Sequence, residues 1–226
     1  MPKKKPTSSR ALAPAKNTNL ARLPDRITIA DTEIRPEQLY VIKDRRPRGH
    51  GPWSSEPIDK LAWHDAETGL DCILLRQPSG VWAGYVAVGP EHPLYGHRED
   101  AIPASADLHP HGGIDYSQLC SQRGPAETQV CHVHHGSRTR PTAADKTTDQ
   151  AWWFGFTADK PGDLVPKGSK PVLALEEGEI YRSIDYMYRE TIGLARQLKQ
   201  LGGDTAIDPA PKLAGTPPRL GKPGGQ

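Results

Sequence analysis

From residue 180 onward, apolar side chains fall at Ile180, Ile184, Met187, Leu194, Leu198 and Leu201, with Thr191 in the remaining place. The steps alternate four and three, which sets all seven positions on one face of an α-helix. Gly202-Gly203 follows as a stop. No other stretch carries such a pattern. Upstream, many of the chain's 22 Gly and 23 Pro interrupt the sequence, and both residues break helices. A chain of 226 residues with one long helix near its end must build the rest of its core from strands.

The strand signals agree. Residues 70–77 (LDCILLRQ) and 81–89 (VWAGYVAVG) are β-prone runs on either side of Pro78-Ser79-Gly80, a short turn with glycine where positive φ is needed. Gly84 inside the second run marks a bulge or a close approach to a neighbour. Residues 128–134 and 151–157 read as further strands, and 27–42 as a short strand with a turn. The expected architecture is α+β: a small, mostly antiparallel sheet packed by one long C-terminal helix. Residues 1–24 and the Gly/Pro-rich 202–226 read as disordered tails. Residues 25–201 form one domain, with its core at about 51–201.

Charge and cysteine narrow the function classes. Residues 1–50 hold 12 Lys/Arg against 5 Asp/Glu, while 51–226 hold 17 against 22. A basic front over a mildly acidic body allows nucleic-acid contact through residues 1–50, with a solvated tail as the plainer reading. No apolar run approaches a membrane span. No signal-peptide pattern follows Met1. Cys72, Cys120 and Cys131 are therefore expected as free thiols in a reducing cytoplasm. Cys72 reads as packing, and Cys120 as the most exposed candidate nucleophile.

Seven of the nine histidines lie between His92 and His135. His109-Pro110-His111-Gly112-Gly113 is followed by Asp115 and Tyr116. The glycine pair lets backbone approach a ligand, and His111 beside Asp115 is a candidate acid/base pair. The ligand-binding candidates are Gly112, Gly113, Tyr116 and Asp163. A divalent metal, if used, would be held by His109, His111 and Asp163, with His132 as a further donor. Trp152–Phe156 reads as core in preference to a base-stacking platform. Phosphate-loop, dinucleotide-binding, zincin and nucleophile-elbow motifs are absent from the sequence.

Several stretches together resemble an uncharacterised family of tailed phages and bacteria, notably actinobacterial. They are 51–57 (GPWSSEP), 68–73 (TGLDCI), 84–88 (GYVAV), 92–96 (HPLYG), 111–116 (HGGIDY), 131–133 (CHV), 152–156 (WWFGF), 162–163 (GD) and 181–186 (YRSIDY), continuing to Gln197-Leu198. The resemblance implies a phage or bacterial cytosolic setting and no particular chemistry. Its pattern has Asp, Cys and His between the aromatic run and the Gly-Asp, where this chain reads Thr157-Ala158-Asp159-Lys160-Pro161. The favoured reading is a non-enzymatic binding or accessory protein for a small anionic ligand or a host protein. The alternative is a hydrolase, metal-dependent or acid/base, using His111, Asp115 and Asp163.

Overall fold

The structure is a computed structural model that describes residues 18–19, 23–120, 124–131, 150–167 and 178–204. Most of the two expected tails lies outside the described residues. Thr18 and Asn19 of the N-terminal segment form the two-residue strand β1.

The hairpin of β2 (Ile27–Ile29) and β3 (Thr32–Ile34) stands apart as a two-stranded sheet. Its turn residues Ala30 and Asp31 both have positive φ, 49° and 64°. That is the geometry of a tight hairpin turn that glycine or asparagine normally fills. The main sheet contains β4 (Gln38–Val41), β5 (Lys60–His64), β6 (Asp71–Arg76), β7 (Trp82–Val88), β8 (Tyr116–Leu119) and β9 (Trp152–Thr157). The strand order is β1-β4-β5-β6-β7-β9-β8, antiparallel throughout. One long helix, α1 (Ile184–Asp204), completes the α+β fold.

Period-two alternation along each strand divides the sheet into two apolar faces. Leu61, Trp63, Cys72, Leu74, Val86, Phe154 and Phe156 pack against Ile184, Met187, Leu194 and Leu198 of α1. Tyr40, Ala62, Ile73, Leu75, Tyr85 and Trp153 point the other way, towards Tyr116, Cys120, Ala126 and Val130. Burial on both faces explains why β7 reads as a continuous apolar run. Gly84 is a close approach, not a bulge: its register with Leu74 and Phe156 is unbroken, and a Cβ there would strike Thr191 Oγ1 and the Phe156 ring.

α1 begins one turn later than the periodicity predicts, and it runs through Gly202-Gly203, the expected stop, to Asp204, so the first three residues of the expected C-terminal tail are helical. Ile180 precedes it and is 55% exposed. Ser183 Oγ and its carbonyl accept from Tyr186 N–H and Met187 N–H, as an N-cap does. The N–H of Ile184 is taken by Glu56 Oε1 at 2.8 Å. The other oxygen of Glu56 accepts from Arg76 Nη2 at 2.5 Å, Tyr181 OH at 2.8 Å and Trp82 Nε1 at 3.0 Å. Arg76 also donates to Asp59 at 2.8 Å. One buried, fully partnered network thus ties the sheet to the start of the helix.

Three local expectations differ. β5 was not legible as a strand, because it opens with a lysine that is nonetheless fully buried. β8 lies in a stretch that reads as loop, since three of its four residues are polar or amphipathic and it is an edge strand. Residues 128–134, predicted as a strand, begin instead with the end of a 3-10 turn (Ala126–Thr128), and 132–134 lie outside the described residues.

Candidate functional site

Gly112 and Gly113 both have positive φ, 69° and 84°, and Gly113 N–H closes a turn on the Pro110 carbonyl. A Cβ on Gly112 would collide with the Lys160 side chain. The turn can therefore lie flat against the 157–163 segment only with glycine there. This presses His111 between that segment and α1.

Every hydrogen-bonding group of the His111 ring is engaged. Nε2 is 2.6 Å from Asp163 Oδ2, and Nδ1 is 2.9 Å from Tyr186 OH. The His111 and Tyr186 rings meet edge to face at 5.4 Å. The backbone N–H of His111 donates to Glu190 Oε2 at 2.9 Å. Asp163 is buried, and receives Arg182 Nε at 2.7 Å and the Lys160 N–H at 3.0 Å. Burial alone would raise the Asp163 carboxyl. The hydrogen bonds from Arg182, His111 and the Lys160 amide outweigh it and hold the group below its ordinary value. Arg182 also stacks over the Tyr186 ring at 4.9 Å.

The structure thus brings His111 and Asp163 together. Asp115 faces elsewhere: it accepts the Thr157 N–H at 2.9 Å and Lys160 Nζ at 2.6 Å. Lys160 spans the two carboxylates, with its amide on Asp163 and its ammonium on Asp115. Despite burial, Asp115 and Asp159 hold that ammonium above its ordinary pKa. Tyr116 packs edge-on against Tyr85 on the sheet face remote from α1. His109 is at the surface, with Nδ1 on the Asp107 carbonyl at 2.7 Å. His132 lies outside the described residues. Among the described residues, no group of three or more His, Cys, Asp or Glu side chains is placed to hold a metal.

Four members of this cluster escaped sequence reasoning: Lys160, Arg182, Tyr186 and Glu190. The last three are spaced four apart, which places them on one flank of a helical track. That spacing was readable. What it faced was not.

The cysteines also differ from expectation. Cys72 is buried and free, and burial pushes its thiol well above the ordinary range. Cys120 and Cys131, expected as free thiols, form a disulfide with Cα atoms 5.1 Å apart. The backbone from 124 to 131 folds back over the sheet face and brings them within bonding distance. Disulfides persist mainly in oxidising compartments, so the cysteines no longer argue for a reducing one. No helix among the described residues is long and apolar enough to cross a membrane. In the basic loop at 43–51, Arg46 pairs with Asp59 at 3.2 Å and Arg45 donates to the Arg76 carbonyl.

Comparison with protein-family models, curated proteins and solved structures returns no match for this chain.

Proposed function

We propose that the chain is a non-enzymatic binding protein for a small anionic ligand or a host protein. On this reading the His111 cluster is a latch that fixes the 109–113 turn and the 160–163 turn against α1. The observation that carries it is the full engagement of the His111 ring. A base that acts directly on a bound water or substrate needs a free ring nitrogen, and both nitrogens here face protein groups. On this reading the protein works in a bacterial or phage-infected cell, the setting that the resemblance of its motifs would imply.

Native mass spectrometry of untagged protein, purified without chelator, tests this reading. A co-purified organic anion or partner chain is the expected result. A stoichiometric divalent ion lost on His111→Gln or Asp163→Asn would overturn it in favour of the metal-dependent hydrolase.

One geometric feature favours an acid/base hydrolase as the second reading. Tyr186 OH, His111 and Asp163 form a hydroxyl–imidazole–carboxylate chain, the order in which hydrolases arrange nucleophile, base and orienting acid. Tyr186→Phe separates the two. As part of a latch it removes one hydrogen bond, worth about 1 kcal/mol of stability. As part of a hydrolase it abolishes turnover of p-nitrophenyl ester and phosphate substrates.

A further inference from the structure

α1 has a second flank, and it borders a cleft. Tyr186 and Glu190 face the His111 turn, whereas Tyr188, Arg189, Ile192 and Arg196 line a cleft of about 750 Å³. The β2–β3 hairpin and the turn joining β5 to β6 form its other walls. The volume is that of an ordinary small-molecule site. Ala30 N–H donates to Asp185 Oδ1 at 2.9 Å, which clasps the hairpin to the first turn of α1. The left-handed φ of Ala30 means that this wall is held in a backbone state alanine seldom adopts.

The lining has an apolar floor and an unbalanced rim. Trp63 and Tyr188 are 2% and 8% exposed, with their rings 5.6 Å apart. Each acidic group of the lining is already engaged. Glu33 pairs with Arg26, Glu67 takes Arg196 in a two-pronged contact at 2.7 and 2.8 Å, and Asp65 accepts the N–H and hydroxyl of Thr68. Arg35 and Arg189 are exposed, and neither has a carboxylate partner among the described residues. The indole Nε1–H of Trp63 is buried without an acceptor, also among the described residues. A buried donor left unpaired is destabilising; Trp53 Nε1 and His97 Nδ1 share that state among the described residues, but neither residue lines this cleft.

We infer that this cleft binds a small anion with a flat apolar body, its charged group held by Arg35 and Arg189. The aromatic floor takes the ring, and an oxygen of the ligand accepts from Trp63 Nε1. Guanidinium groups suit carboxylate and phosphate alike, so the shared chemistry is an aromatic oxyanion. The inference rests on the binding reading above and assigns it a place distinct from the His111 latch.

The test uses the full chain labelled with nitrogen-15, and follows the indole N–H resonances during titration with naphthoate, naphthyl phosphate and the neutral naphthamide. Trp63→Phe identifies the Trp63 signal. The expected result is a saturable shift of that signal with one or both anions and none with naphthamide. Arg35→Gln and Arg189→Gln should each weaken binding by about tenfold, the usual worth of one charge-assisted hydrogen bond. The stronger of the two anions distinguishes a carboxylate site from a phosphate site. A Trp63 signal unmoved by either anion, or wild-type affinity in both arginine variants, overturns the inference. If a probe instead shifts only the Trp152 or Trp153 signals, the cleft is wrong and the binding reading stands. If no signal moves and native mass spectrometry finds no bound organic ligand or partner, both fail.

Discussion

Lys60→Met is the most informative single substitution for the stability of the fold. Lys60 opens β5 on the face remote from α1 and is fully buried. Its Nζ donates to the carbonyls of Ala126 and Gln129 at 2.7 and 2.9 Å, and lies 5.4 Å from the centre of the Tyr40 ring. Desolvation is the main cause that lowers its pKa from 10.5 to about 7, against the attraction of Glu127. That displacement corresponds to about 5 kcal/mol in favour of the neutral amine in the native state. The sign follows from proton counting. Below pH 7 both states hold the proton, and the native state bears the full cost of a buried charge. Between pH 7 and 10.5 the unfolded chain holds a proton that the native chain has lost. Unfolding free energy therefore rises with pH across that window, by at most about 1.4 kcal/mol per pH unit. Lys60→Met removes this dependence and leaves two carbonyls unsatisfied, at about 1–3 kcal/mol each. The wild-type chain should thus gain stability relative to the variant as pH rises from 7 towards 10. Urea unfolding of both proteins at pH 6, 8 and 9.5 measures it. Parallel stability curves would refute the reasoning, since every other titrating group is common to both.

Three further predictions concern other parts of the fold. Replacing Cys120 and Cys131 with serine should lower stability by about 3 kcal/mol under non-reducing conditions, from the closed-loop entropy of an 11-residue separation. The check is a denaturant midpoint with and without reductant, which should shift for the wild type alone. Asp163→Asn should cost about 1–3 kcal/mol at neutral pH by removing the charge that Arg182 and His111 share. Because the native carboxyl is held below 3.8, the wild type's advantage is present above that pH and vanishes as pH falls through the lowered value, which acid titration of the unfolding midpoint reads directly. Gly84→Ala should destabilise by about 1–3 kcal/mol, because the new methyl meets Thr191 and Phe156, and Thr191→Ser should not relieve it, since the clash is with the retained hydroxyl.

The helix and the central hairpin were legible because their apolar residues repeat at the helical and strand periods. Gly84, Phe154 and Phe156 behave as those patterns require. β5 was hidden by Lys60, whose burial depends on carbonyls some 66 residues away in sequence, a partner no local window contains. The same limit applies to the candidate site. His111, Asp163 and the glycine turn stand out by composition, and the structure brings them together. The choice of partner does not stand out: Asp115 is nearer His111 in sequence, yet Lys160 holds it, and the carboxylate at the imidazole comes from 52 positions further on. The disulfide was not legible because three cysteines are an odd number, which suggests free thiols, whereas the pairing depends on how 124–131 folds back.

Glu56 has a consequence for the dynamics of the molecule. One side chain accepts from Arg76 of β6, Trp82 of β7, Tyr181 and the first amide of α1. If the helix start frayed alone, a buried arginine and an indole would remain beside a carboxylate that had lost its fixed position. That adds to the cost of opening the helix start alone, beyond what an ordinary helix end bears. Helix ends usually exchange their amide hydrogens quickly, but here the Ile184 amide should be protected beyond the level of an ordinary helix end.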